Sequence, residues 1–162
     1  MTASAQPRIR RGEPADLPAV LALLRGAGLP TADLTGNHAV QMWVLEASAS
    51  LVGVIALERF GAEGLLRSLA IAPDYRRRGL ARELVVRIEQ DSRANGIAQL
   101  VLLTQTAEPF FRSLGYDVLE RSHVAEALKE SAEFRNLCPA SATCMRKIFD
   151  ATGKPRAPGK TP

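Results

Sequence analysis

The sequence predicts one mixed α/β (α+β) domain over residues 1–150, and three observations carry that expectation. The chain has 162 residues, 46% apolar and 23% charged, which suits one soluble globular core. Three strand-like apolar runs lie between residues 41 and 72. A long amphipathic helix follows, and beyond it strand and helix patterns alternate to the end.

The elements read in order as follows. Residues 8–11 (RIRR) suit a short first strand. Asp16 reads as a helix N-cap, with Leu17, Val20, Leu21 and Leu24 at helical spacing and Gly28 as the stop. Residues 29–40 read as a loop with at most one helical turn. Runs 41–47, 51–60 and 64–72 are separated by turn-like segments, so an antiparallel meander is expected, ended by Pro73. Residues 79–95 form the clearest helix. Leu80, Leu84 and Ile88 share its apolar face, Glu89 and Arg93 are placed on its wet side, and Gly96 is the stop. The continuous apolar run 98–104 suits a strand buried on both faces. A short helix near 107–114, a strand over 116–120, a polar helix near 124–133 and a last strand over 142–149 complete the domain.

Charge excludes several function classes. The 21 basic and 17 acidic residues give +4. Three of the basic residues, Lys154, Arg156 and Lys160, sit in the Pro- and Gly-rich segment 151–162, which holds no acid and is expected to be disordered. The rest of the chain carries +1, so a nucleic-acid role loses its main support. No apolar run approaches the ~20 residues of a membrane-spanning helix, and no secretory segment opens the chain. The two cysteines, spaced C-x5-C, are too few for a disulfide scaffold and lack zinc spacing. A cytoplasmic protein without a metal is expected. His38 and His123 read as surface residues, and Trp43, Phe110 and Phe111 as core or tunnel wall.

The chemistry concentrates in 65–82, LLRSLAIAPDYRRRGLAR. An apolar strand runs through a proline and a basic loop to Gly79, at the start of the long helix. A helix N-terminus presents unpaired N–H groups and partial positive charge, and so favours an anion. Three consecutive arginines there oppose the helix dipole and point to a compensating anion such as a pyrophosphate; the alternative is a loop that is merely basic.

Arg76-Arg77-Arg78-Gly79-Leu80-Ala81 resembles the (Q/R)-x-x-G-x-(G/A) acyl-CoA motif of the GNAT N-acetyltransferase superfamily. The resemblance continues through strand 98–104 and FFRSLGY (Phe110–Tyr116). It implies the GNAT fold, a mostly antiparallel mixed sheet of six to seven strands whose central parallel strands splay apart. It further implies acetyl-CoA as co-substrate, with the pyrophosphate cradled by Arg76, Arg77, Arg78, Gly79, Leu80, Ala81 and Arg82. Leu69, Ala70 and Ile71 would pair with the pantetheine arm, Phe110 would flank it, and the Leu69 N–H would steady an oxyanion. An acceptor amine would attack the thioester directly.

Two positions depart from the family pattern. Phe111 stands where many members have the tyrosine that protonates the leaving thiolate; Tyr116, water or another group would have to substitute. Arg67 stands where many carry a glutamate base. Arginine is no base, but it binds carboxylates in a bidentate fork, which favours an acidic acceptor; alternatively it is a solvated strand charge. Glu108 is then the first candidate base or substrate ligand and Glu58 the second, beside a water-mediated route. Ser68 and Thr104 join Arg67 as substrate-side candidates.

LLRSLA, LLTQTAE and the Cys138–Met145 stretch resemble a bacterial GNAT subgroup associated with arsenic resistance. That resemblance implies an arsenical amino acid or related amino-bearing toxin as acceptor. Cys138 and Cys144 would suit trivalent arsenic; the simpler reading makes them small apolar residues. The competing functions are a CoA- or arsenical-binding sensor without turnover, and acetylation of peptides. Family members often form homodimers.

Overall fold

The computed structural model describes residues 6–35, 40–137 and 139–149. His38, Cys138 and the basic segment 151–162 lie outside the described residues. Seven strands are hydrogen-bonded into one sheet in the order β1-β2-β3-β4-β5-β7-β6. Only β4 and β5 pair in parallel, so the sheet is mixed and mostly antiparallel, as expected. The chain forms two compact units, residues 1–58 with 67–90 and residues 59–66 with 91–162.

In the first unit, β1 (Arg8–Arg11) pairs antiparallel with β2 (Val40–Ala47), and β2 with β3 (Ser50–Phe60). Ser48 and Ala49 join β2 to β3 with φ of 51° and 64°, the double left-handed geometry that suits the twist of a tight hairpin. Helix α1 (Leu17–Gly26) buries Val20 and Leu24 completely. They pack with Leu34, Val44 of β2, Val54 of β3 and Ala70 of β4 (Glu63–Ile71). Each of the Val and Leu side chains contributes about 1.5–3 kcal/mol.

Asp16 does occupy the N-cap position of α1, yet its carboxylate caps no helical N–H. Instead it accepts from the Glu13 N–H at 2.7 Å and from Arg10 Nη1 and Nη2 at 2.8 and 2.9 Å. Arg10 Nε also donates to Glu46 on β2 at 2.6 Å. One arginine thus ties β1, the entry to α1 and β2 together.

Helix α2 (Leu80–Ala94) buries Leu84, Val85 and Ile88 as expected. Glu89 departs from the expected pattern: it is 4% exposed and not on the wet side. It lies one turn beyond Val85, so the 3.6-residue period carries it onto the buried stripe. Gly96, at φ 81°, lets the Ile97 N–H reach back to Ser92 O and close the helix end.

In the second unit, β4 and β5 (Gln99–Thr104) pair from Glu63↔Gln99 to Leu65↔Val101. β7 (Thr143–Ile148) runs antiparallel to β5 along its whole length. Its core gathers Leu65, Val101, Leu119, Val124, Leu128 and Cys144. Arg93 lies over the Phe149 ring at 5.2 Å. The strand expected over 116–120 shortens to β6 (Asp117–Val118); Tyr116 before it is buried in the core, and Leu119 after it still bonds Cys144 O of β7 through its N–H. The helix expected near 124–133 resolves into α4 (Glu126–Lys129) and a wide turn over Glu133–Leu137. Among the described residues no helix is long and apolar enough to cross a membrane.

The Arg10 guanidinium holds the Asp16 carboxyl down at about 2. A depressed carboxyl stabilises the fold fully above its unfolded value of ~3.9, and that contribution fades as pH falls towards about 2. The D16N variant is therefore expected to melt below the native chain at pH 7. The two melting temperatures should converge between pH 4 and 2; a constant gap would show that the ion pair contributes nothing.

Candidate active site

Arg67 stands in the middle of β4 with no exposed side-chain surface. A buried guanidinium must have both its charge and its N–H groups met. Nη1 and Nη2 donate in parallel to Asp33 at 2.6 and 2.7 Å, a bidentate fork. Nη1 also lies 3.5 Å from Glu58 Oε1, and Nε lies 3.3 Å from Ser68 Oγ. The Glu58 side chain is 10% exposed and that of Asp33 17%. One cation faces two carboxylates, so the cluster carries one negative charge in excess.

The solvated-strand alternative for Arg67 is thereby removed. Arg67, Ser68 and Glu58 come together, and Asp33 is the member that sequence reasoning missed. A signal existed: Asp33 is the one acid in the otherwise uncharged loop 29–40. Ser68 has φ 58°, a left-handed conformation that costs a non-glycine residue about 1–2 kcal/mol. It interrupts the pleat, and the consecutive residues Arg67 and Ser68 are both buried. Leu69 is half-buried and Ala70 and Ile71 are buried on the same strand.

Beyond β4 the chain turns through Pro73–Tyr75 into an exposed loop, residues 76–79. Arg77 and Gly79 both take left-handed backbone, at φ 63° and 76°. Their peptide planes therefore turn away from an ordinary strand-to-helix path immediately before α2, whose first N–H groups have no partner within the helix. A Cβ added at Gly79 would meet no atom within 4 Å, so the space above this turn is open to a ligand. Two of the three arginines are tied within the chain. Arg76 Nε donates to Ile71 O at 2.9 Å, and Arg78 donates to Asp74 O at 3.0 Å beside the Tyr75 ring. Their charges are thus partly met by carbonyl dipoles, and the case for an anion rests on the backbone more than on the arginine count.

The remaining candidates lie in the second unit. Thr104 Oγ1 accepts from the Ala107 N–H at 3.0 Å and so starts α3 (Glu108–Ser113). Glu108 is paired with Arg112 at 2.6 Å, both well exposed. Phe110 meets Phe111 edge to face, with centroids 5.0 Å apart. Phe111 is buried against Tyr116, which is fully buried and lies under the Lys147 ammonium at 5.5 Å. A phenol in that position is enclosed by the core. His123 is exposed and Trp43 buried, as expected.

A family model for the acetyltransferase (GNAT) domain matches residues 38–118. The chain belongs to the GNAT acetyltransferase family. It is 32% identical over 82 residues to a probable N-acetyltransferase 14 of Danio rerio, covering 47% of this chain and 29% of that one. It is 41% identical over 66 residues to an amino-acid acetyltransferase of Ectopseudomonas mendocina, covering 40% and 15%. The fold matches N-acetylglutamate synthase from Neisseria gonorrhoeae, solved with coenzyme A and L-arginine, at a TM-score of 0.74 and 23% identity. That match covers 89% of this chain and 33% of that one. It also matches a PaiA N-acetyltransferase of Thermoplasma acidophilum, solved with coenzyme A, at 0.67 and 16%, covering 89% and 99%. The chain thus spans less than a third of the two sequence relatives. Acetyl-CoA is the co-substrate of GNAT acetyltransferases.

Burial pushes the Cys144 thiol up to about 11, against the opposing pull of Arg121 and Arg146. A thiol so raised is a packing group and a poor nucleophile or metal ligand. In a C138S background, Cys144 of the folded protein is expected to resist maleimide at pH 8 and to react once denatured. Rapid labelling of the native protein would contradict this assignment.

Proposed function

We propose that this domain is an acetyl-CoA-dependent N-acetyltransferase acting on the amine of a small acidic acceptor, an amino acid or an arsenical amino-acid analogue. The observation that carries the cofactor half is the left-handed pair Arg77 and Gly79 at the start of α2, with open space above the glycine. Main-chain N–H groups from Arg77 to Arg82 then bind the pyrophosphate, and the backbone of Leu69, Ala70 and Ile71 binds the pantetheine arm as an added strand would. Bound acetyl-CoA supplies an electrophilic thioester carbonyl. The Leu69 N–H donates to its oxygen as charge develops there.

For the acceptor half, Arg67 is the group that pairs with a carboxylate, with Ser68 beside it. Glu58 is favoured over Glu108 as the residue that receives the amine and its proton. Its carboxylate is nine-tenths buried and among the described residues has one ion-pair contact, at 3.5 Å, whereas Glu108 is engaged by Arg112 in the open. An amine of pKa near ~10 must lose a proton before it attacks. The amino-acid acetyltransferase relatives support a small amine acceptor. The arsenical form of the proposal rests on LLRSLA, LLTQTAE and the stretch ending in Cys144-Met145. A cytoplasmic location and a homodimer complete the reading. A non-catalytic CoA-binding sensor is the second reading, favoured by Phe111, which offers no acid and is buried.

Thiol release from acetyl-CoA with a panel of amino acids, simple amines and peptides tests the activity. CoA binding without turnover on any amine would overturn it in favour of the sensor. The G79E variant is expected to lose CoA binding by calorimetry, because its carboxylate would enter the cradle; unchanged affinity would remove the site assignment. The R67A variant is expected to raise KM for an acidic acceptor about tenfold or more, the worth of one charge-assisted pair, while sparing KM for acetyl-CoA. An equal rise in both would make Arg67 purely structural.

A further inference from the structure

Any acid that uses Arg67 must deal with Asp33, which already holds both terminal nitrogens of its guanidinium. We propose that Asp33 is a specificity-determining residue: a built-in carboxylate that occupies the acceptor's place at Arg67 and is exchanged for the acceptor's own carboxylate when that acceptor binds. The inference rests on the reading of Arg67 as the acceptor's carboxylate partner.

Three observations carry it. First, the fork seen here is the same two-bond geometry that a free carboxylate makes with a guanidinium, and it comes from a turn of the loop after α1 and not from the sheet. Second, burial is lopsided. Arg67 has no exposed side-chain surface, whereas Asp33 keeps 17% of its own, so Asp33 is the member on the open side. Third, attachment is lopsided. Arg67 also contacts Ser68 and Glu58, while the Asp33 carboxylate bonds only to Arg67 among the described residues. The turn itself is held by its neighbour, since Leu34 is buried in the core and its N–H bonds Thr31 O at 3.1 Å. The Asp33 side chain can therefore leave by rotation while the turn stays anchored.

The charge count agrees. With Asp33 in place the cluster holds one excess negative charge, which repels an acid. With Asp33 exchanged for the acceptor, a carboxylate faces Arg67, an ammonium faces Glu58, and the displaced Asp33 carboxylate turns to water. The resting pair thus lowers apparent affinity for acids by the fraction of time that Arg67 is engaged. An amine that lacks a carboxylate has nothing to exchange at Arg67 and bears no such penalty.

The test compares native protein with the D33N variant, which keeps the shape and removes the competing charge. KM for L-glutamate is expected to fall about tenfold, with KM for glycinamide within twofold and that for acetyl-CoA unchanged. If KM for both amines rises together, Asp33 is a fixed strut and the inference is overturned. A second variant reads exchange without turnover: in D33A, added acetate is expected to fill the vacated place and raise the melting temperature more than it does for the native chain. Equal acetate shifts in the two proteins would overturn the inference. Should no amine be acetylated at all, the proposed activity fails, and the acetate measurement still decides whether Arg67 exchanges carboxylates.

Discussion

A guanidinium with no exposed surface in the middle of a strand dictates much of what lies around it. Left alone, such a charge would cost several kcal/mol, so the fold must bring carboxylates to Arg67. It brings two, both from earlier in the sequence: Glu58 on the preceding strand and Asp33 from the loop after α1. Leu34, next to Asp33, is pinned in the core by the same α1 residues that cover β2 and β3. The hydrophobic packing of α1 and the pairing of Arg67 are therefore one construction.

The second constraint is backbone strain along the same short stretch of chain. Ser68, Arg77 and Gly79 all adopt left-handed φ values within twelve residues, and two of them are not glycine. Strain of this kind persists only where the surroundings fix it. Here Arg76 reaches back to Ile71 O and Arg78 to Asp74 O, locking the turn that delivers the α2 N-terminus. The arginines brace the loop as much as they charge it. On the proposed reading, anion binding would follow from the backbone conformation of this loop, which the local bracing sets.

Most of this architecture was legible because it is local. Alternation and apolar runs marked the strands, a 3.6-residue stripe marked α2, and the six residues Arg76 to Ala81 marked the turn. Features that depend on distant partners were not legible. Asp33 lies 34 residues from Arg67, and nothing in spacing joins them. Glu89 reads as a wet-side charge because charge is the stronger cue, while its position one turn from Val85 puts it inside. Tyr116 reads as the start of a strand because aromatic residues favour strands, yet its burial under Phe111 and Lys147 consumes it before a strand can form.

Phe111 sharpens what the chemistry demands. Acyl transfer from a thioester to an amine needs two proton events, removal from the amine and delivery to the thiolate. They are not equally demanding near neutral pH. An alkyl thiol ionises near ~8.5, so its thiolate is a competent leaving group without help, whereas an amine near ~10 is almost wholly protonated and inert. On the proposed reading, a site that gives up its aromatic acid but keeps a buried carboxylate for the amine gives up the less costly of the two. Glu58 is enclosed and lies 3.5 Å from Arg67, which on the proposed reading suits it to the step that cannot be omitted. By occupying both terminal nitrogens of that arginine, Asp33 keeps Glu58 from being drawn into a tight fork of its own.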